Sequence, residues 1–215
     1  MLAPLPGITL QASAEAVHVH SEAPMTVLSS SFFGGGFSRV RHILNAKVAP
    51  DYQSDDPAAD LQAIAHRCGV TEPFVGLLTA VPLRKARLAL AERGALRVGV
   101  LATAGLSNAT SAGLSPPCEA RPGTINLIVL VNARLTRPAL VNAIITVTEA
   151  KCAVLADLGA RSPDGAPATG TSTDTVTVAA TGRGPALPFA GPATVPGWLI
   201  AQAVRQAVYE SLQAD

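Results

Sequence analysis

The 215-residue sequence predicts one α/β (α+β) domain, 1–215: a mixed sheet covered by helices. Three observations point there. Apolar residues make up 48% of the chain and charged residues 14%, a balance that favours a packed globule over disorder. Strand-sized apolar runs interleave with segments of helical period. Several of those runs (74–80, 96–103 and 124–131) are apolar on both faces, as strands are when both sides of the sheet are covered.

The elements follow in chain order. Residues 16–20 alternate weakly and 25–30 form an apolar run. Ser21-Glu22-Ala23-Pro24 between them reads as a turn, so the pair predicts a β-hairpin. Residues 29–36, SSSFFGGG, predict a glycine-rich loop. Asp55-Asp56-Pro57 is a helix-start signal for a helix running to Cys68, stopped by Gly69. Then come a strand over 74–80, a helix over 83–93 ended by Gly94, and a strand over 96–103. Residues 104–117 are rich in Gly, Ser, Asn and Thr and read as a loop. A buried strand over 124–131 precedes the longest helix, 138–158. A loop over 162–170, a strand over 173–180, a Pro/Gly-rich loop over 182–196 and a closing helix over 197–212 complete the chain.

The long helix carries an anomaly. At 100° per residue, Leu140, Ile144, Val147, Val154, Leu155 and Leu158 share one stripe, with Lys151 in its middle. A lysine aimed inward needs a carboxylate, carbonyls or a substrate beside it, unless it snorkels outward near the helix end. Glu149 falls on the opposite face with Asn142, Thr146 and Asp157, where spacing alone favours solvent.

Composition excludes several functions. The formal charge of +1 offers no basic field for nucleic acid. Apolar runs such as 125–131 fall well short of the ~20 residues a spanning helix needs, so no membrane partner is expected. MLAPLPGITL lacks the basic start of a secretory signal. Cys68, Cys118 and Cys152 are sparse and without CxxC spacing, which fits a reducing cytoplasm. A soluble cytoplasmic protein is expected, with homo-oligomerisation left open.

Four glycine-bearing polar segments abut predicted strands: 29–36, 103–113 (TAGLSNATSAG), 122–126 (PGTIN) and 168–174 (ATGTSTD). Strand ends that feed such loops are where sites form in layered proteins. No P-loop, GxGxxG after a strand, GxSxG or HExxH is present. His18-Val19-His20 would put two imidazoles on one strand face, a metal pair or simply an exposed face. With no metal set and no evident histidine base, hydrolysis would need a Ser or Thr nucleophile activated by Lys, Asp or an N-terminal amine.

Six short motifs occur in order: SS…GG…N (29–45), GLLTA (76–80), TAGLSNA (103–109), PGTIN (122–126), TEAK (148–151) and ATGTSTD (168–174). Together they resemble the adenosylcobinamide amidohydrolase family over roughly residues 25–210. Gly34 stands where the resemblance leads one to expect Asn. The resemblance implies hydrolysis of the amide joining a corrin-ring propionyl group to aminopropanol, giving adenosylcobyric acid for cobalamin salvage. Cobalt then belongs to the corrinoid substrate, and no cofactor of the protein's own is implied. Substrate-binding positions implied by the motifs are Ser29, Ser30, Gly35, Gly36, Asn45, Thr103, Gly105, Asn108, Glu149, Thr169, Thr171 and Thr173.

A fainter similarity links 122–180 to the ornithine acetyltransferases and the related β-aminopeptidases, which cleave their own chain before a Thr or Ser. It implies an αββα sandwich and makes Thr124 the nucleophile. Its base is then its own freed α-amine, or Lys151 if that side chain is unpaired. Backbone amides around Thr103–Gly105, or the Asn108 side chain, would hold the oxyanion. Asn126 shares the strand face of Thr124, and Asp174 would orient a donor. Thr169, Thr171 and Thr173 alternate and are expected to form a hydroxyl rack, or else turn chemistry. Two other readings are an acyltransferase on the same scaffold and a non-catalytic corrinoid-binding protein.

Overall fold

The computed structural model describes residues 2–117 and 124–214. Cys118, Pro122 and Gly123, singled out above, lie outside the described residues.

The chain begins with a small antiparallel pair, β1 (Leu2–Leu5) and β2 (Ile8–Ala12), to which the sequence reading assigned nothing. The predicted hairpin over 16–30 does not form. Instead one strand, β3 (Ala16–Ser29), runs straight through the expected turn. Its pairing with β4 (Gly36–Lys47) slips between His20/His42 and Met25/Val40, so 21–24 bulge out opposite Arg41 alone. A bulge accepts Pro24, which has no N–H to give a ladder. Along its other edge β3 pairs β2 through residues 17–21 and β12 (Thr175–Ala180) through residues 26–29.

Helix α1 (Pro57–Arg67) starts as predicted, with the Asp56 side chain accepting from Ala59 N. β5 (Phe74–Thr79) runs parallel to β4. The predicted helix over 83–93 is instead a short 3-10 turn, Leu83–Lys85, and strand β6 (Arg87–Arg93). Its residues favour helix, but pairing with β7 (Leu96–Ala104) across Gly94-Ala95 wins. β8 (Ala109–Thr110) pairs β11 (Gly170–Thr171), and β10 (Arg134–Leu135) pairs β13 (Ala186–Leu187). β9 (Ile125–Val131) lies between β7, antiparallel, and β12, parallel. Two long helices follow the predicted lines: α2 (Arg137–Asp157) and α3 (Val195–Gln213).

Three apolar clusters show the layering. Alternate residues of β7, β9 and β12 pack against α2 and α3. The other faces of those strands (Leu101, Ile128, Leu130, Ala179) meet the inner faces of β2 to β5 (Leu10, Val19, Ile43, Leu77). The outer face of β4 and β5 is covered by α1. The order is therefore helix, sheet, sheet, helix, with one nine-stranded mixed sheet supplying both inner layers by folding over. α2 is long and apolar enough, by length and composition, to cross a bilayer, although the run lengths predicted no such segment. Half of its apolar window is buried against the sheet and α3. Thr146, expected on the solvent side, is buried because its hydroxyl donates to Ala190 O at 2.9 Å.

The outer side of β3 and β4 carries three stacked histidines, 18, 20 and 42. Burial first, then the neighbouring His42 and His20, hold His18 down to about 4 from its ordinary 6.5. The folded state therefore refuses a proton that the unfolded chain accepts. Stability contributed here is intact above 6.5 and falls as pH drops through the window toward 4. His20, His42, Arg41 and Glu72 are the titratable and charged groups that face this pair of strands here. Urea midpoints measured across that window should slope less steeply for His18→Gln than for the wild type.

Candidate active site

The central layer between the sheets is apolar along most of its length and turns polar at one end. Strand period makes the change visible. On β5, Val75 and Leu77 are followed on the same face by Thr79; on β7, Leu101 by Thr103; on β4, Ile43 by Asn45. Reading back along β9, Leu130 and Ile128 give way to Asn126, and beyond the strand to Thr124. On β12, Ala179 gives way to Thr177 and Thr175, and on β3, Val27 to Ser29. Six chain segments thus deliver hydroxyls and amides to one end of the core.

These groups are hydrogen-bonded to one another, as buried polar groups must be. Asn126 Nδ2 donates to Asn45 Oδ1 at 2.8 Å and to Leu78 O at 2.8 Å. Asn45 Nδ2 donates to Thr103 Oγ1 at 2.9 Å. Ser29 and Thr177 share a hydroxyl pair at 2.7 Å. Thr124 Oγ1 lies 3.1 Å from Asn126 Oδ1 and 2.8 Å from Thr173 O. It has one proton and two acceptors, so the hydroxyl is fixed in place with its oxygen lone pairs turned elsewhere.

Behind Thr124, on the helix side of the sheet, Lys151 from α2 pairs with Asp174. The two side chains are 8% and 14% exposed, which makes this a buried ion pair. The same carboxylate accepts from Ile125 N at 3.1 Å and from Thr171 Oγ1 at 2.5 Å. It therefore pins the backbone next to Thr124, and Lys151 neutralises it. Gly170 makes room: a Cβ there would overlap Asp174 Oδ2 and come within 2.6 Å of Lys151 Nζ. Gly170→Ala is expected to split this pair. Activity should fall at least about tenfold while the fold persists at a cost of about 1–3 kcal/mol, read by circular dichroism melting beside the assay.

A cavity of about 470 Å³ opens in front of Thr124. Its walls include Thr124, Thr173 and Thr175, then Leu77, Leu78, Thr79 and Ala80 at the end of β5. Phe32, Val48, Tyr52, Gln53, Ser54 and Pro57 close the other side. None of these side chains carries a formal charge. The Tyr52 hydroxyl donates to Asp60 at 2.8 Å, and burial pushes its ionisation up, so it stays a neutral donor.

A protein-family model for adenosylcobinamide amidohydrolase matches residues 3–215. The chain belongs to the adenosylcobinamide amidohydrolase family. A relative of that description from Methanosarcina mazei is 33% identical over 193 residues, covering 86% of this chain and 88% of its own length. One from Halobacterium salinarum is 36% identical over 202 residues, covering 89% and 82%. Among solved structures, an L-aminopeptidase D-Ala-esterase/amidase from Ochrobactrum anthropi aligns over 95% of this chain and 82% of its own, with a TM-score of 0.45 at 12% identity. A β-aminopeptidase from a Burkholderia species aligns over 93% and 79%, with a TM-score of 0.46 at 12% identity.

In this member of the adenosylcobinamide amidohydrolase family, the residues the motifs suggested do not all meet. Thr124, Asn126, Asn45, Thr103, Asp174, Lys151, Thr171 and Thr173 come together in the network just described. Thr124 and Thr173 also line the cavity. Ser29 braces Thr177, and Ser30 Oγ accepts from Val176 N at 3.0 Å, so both fix β12. Gly35 and Gly36 lie in the entry to β4, with Gly36 opposite Ser29, and neither lines the cavity. Asn108 Nδ2 donates to Ser172 Oγ at 2.9 Å, tying the two loops together. Glu149 is exposed on the outer face of α2, as its helical position required, and stays outside the network.

Three expectations need correction. The amide of Gly105 is spent on Thr124 O at 3.1 Å and that of Ala104 on Ser211 Oγ at 2.9 Å, so neither awaits an oxyanion. The three threonines form no rack: Thr169 Oγ1 accepts from Ala112 N, Thr171 serves Asp174, and Thr173 lines the cavity. Lys151 is ion-paired, so it is not the free amine a general base requires.

The sequence reading missed Thr79, Thr175, Phe32 and Tyr52. Thr79 Oγ1 accepts from Val81 N at 3.1 Å, which leaves its own proton available at the cavity wall. Its signal was present in GLLTA, as a hydroxyl two residues beyond an inward leucine.

Proposed function

We propose that this chain hydrolyses the amide between the corrin-ring propionyl group and the aminopropanol of adenosylcobinamide, with Thr124 as nucleophile. Family membership supports the reaction. The Thr124 hydroxyl carries the assignment of roles, because it faces the cavity while two acceptors hold its proton.

Thr124 Oγ attacks the amide carbonyl and its proton passes to a base. Among the described residues its hydrogen-bond partners are an amide oxygen and a backbone carbonyl, neither of which is basic enough. The base that fits is the α-amine of Thr124 itself, freed by cleavage after Gly123. Its unperturbed pKa of about 8 suits proton exchange near neutrality. The Thr79 hydroxyl donates to the developing oxyanion, an interaction of about 3 kcal/mol in other hydrolases. The protonated amine of aminopropanol leaves, and water then releases adenosylcobyric acid from the Thr124 ester. Asn126 and Asn45 position the nucleophile, and the Lys151–Asp174 pair positions its backbone. The neutral walls suit an arm that carries a hydroxyl and an amide, with the macrocycle and its cobalt at the mouth. The free thiols of Cys68 and Cys152 fit a reducing compartment, and the cytoplasm is the one we assign.

The decisive assay incubates purified protein with adenosylcobinamide and follows aminopropanol and adenosylcobyric acid. Stoichiometric release of both is expected. Acyl transfer to an added amine in preference to water would make the chain an acyltransferase, and binding without product would make it a corrinoid carrier. Intact mass tests the base: two fragments dividing at Gly123/Thr124 are expected, and a single full-length species in active enzyme removes the α-amine from the mechanism.

A further inference from the structure

One cluster of ligating side chains has no part in this chemistry. His18 and His20 are two residues apart on β3 and share a face, and His42 on β4 is the register partner of His20. His18 Nε2 stands 2.9 Å from His42 Nδ1. Ring centres are 4.9 Å apart for His20 and His42, 5.1 Å for His18 and His42, and 6.4 Å for His18 and His20. His42 precedes Asn45 by three residues and points to the opposite face, so the sheet itself separates this cluster from the polar end of the core.

We propose that His18, His20 and His42 form a second site, one that binds a borderline divalent cation of the Zn²⁺, Ni²⁺ or Co²⁺ type. The geometry is the reason. Two imidazole nitrogens bound side by side to one ion lie roughly 3 Å apart, since each sits about 2.1 Å from the metal. The His18–His42 contact, at 2.9 Å, is close to that separation, and an ion bound to both nitrogens would replace their shared hydrogen from one side of the line between them. A His-X-His step on one strand, completed by a histidine of the adjacent antiparallel strand, gathers three rings on one side of a sheet. Three neutral nitrogen ligands with one open position suit these ions, whereas Mg²⁺ and Ca²⁺ require oxygen.

The site closes by a small movement. Among the described residues no group of three or more His, Cys, Asp or Glu side chains is placed to hold a metal ion as it stands, so a ring must move. The His20 ring, partly exposed and stacked on His42, has to turn about its side-chain bonds toward the other two. Glu72 acts on the charge of His42 but is ion-paired with Arg41 at 3.7 Å, which acts with the opposite sign, so the imidazoles themselves have to supply the affinity.

The test titrates metal-stripped full-length protein with Zn²⁺ in a calorimeter and with Co²⁺ by visible absorption, using Mg²⁺ as control. One Zn²⁺ or Co²⁺ per chain and no Mg²⁺ is expected. His42→Gln, the ring between the other two, should weaken binding about 100-fold or more, and His18→Gln and His20→Gln at least about tenfold each. Hydrolysis of adenosylcobinamide should be unchanged in all three variants. Three results overturn the site: no saturable binding by the wild type, unchanged affinity in His20→Gln, or hydrolysis lost in step with metal affinity. His20→Gln, at the most readily altered of the three positions, keeps the test sound if burial makes His18→Gln fold poorly, with circular dichroism checking each variant.

Discussion

Thr124→Ala should lower kcat for adenosylcobinamide hydrolysis by at least about 10³-fold while leaving a folded protein. In the proposed mechanism this hydroxyl supplies the bond-forming oxygen, and the other hydroxyls on the cavity wall, such as Thr79 and Thr175, sit on other strands and cannot take its place at the same point. Its removal leaves Asn126 Oδ1 without its recorded donor, at a cost of about 1–3 kcal/mol that thermal melting will register. Thr124→Ser keeps the hydroxyl and should retain most of the activity. Aminopropanol release by the three proteins at equal concentration is the measurement. An alanine variant retaining a tenth of the wild-type rate would mean that water attacks directly and that Thr124 is only a wall of the cavity.

Lys151→Met is expected to cost about 3–5 kcal/mol of folding stability and to abolish activity with it. The pair is buried, so removing the ammonium strands the Asp174 carboxylate beneath the sheet on neutral donors such as Ile125 N and Thr171 Oγ1. That carboxylate will then pull on the backbone of Ile125, directly after the proposed nucleophile. Adding Asp174→Asn to Lys151→Met removes the stranded charge and should regain much of the stability. It should regain little activity, because the tie between the carboxylate and Ile125 N weakens. Urea unfolding of the four members of this double-mutant cycle gives the coupling between the two sites directly. A single-variant cost below about 1 kcal/mol would show that the pair behaves as a surface contact.

Much of this site was readable before any coordinates. Lys151 falls within the apolar stripe of α2, and a charge there demands a partner; Asp174 answers that demand. Thr124 and Asn126 share a strand face by period alone, and both reach the same end of the core. The failures share a cause. Residues 83–93 favour helix by composition, yet a neighbouring edge of β7 made them a strand. Residues 21–24 look like a turn, yet β4 paired across them and turned the expected hairpin into a bulge. In both places the competing partner lies elsewhere in the chain, and local preferences of a few tenths of a kcal/mol per residue are easily overruled by a ladder.

The order of polar motifs determined the family, and strand and helix period determined which side chains look inward. These are local properties, set by bond geometry and repeated every two or 3.6 residues. Which inward-looking groups meet was decided by the tertiary structure alone. Folding one sheet over itself brought Asn45, Thr79, Thr103, Asn126 and Thr177 to the same end of a shared layer. It also consumed the amides of Ala104 and Gly105 that had looked free to bind an oxyanion. Hydrogen-bond satisfaction is a contest among all groups within reach, and reach is a property of the folded chain rather than of the sequence.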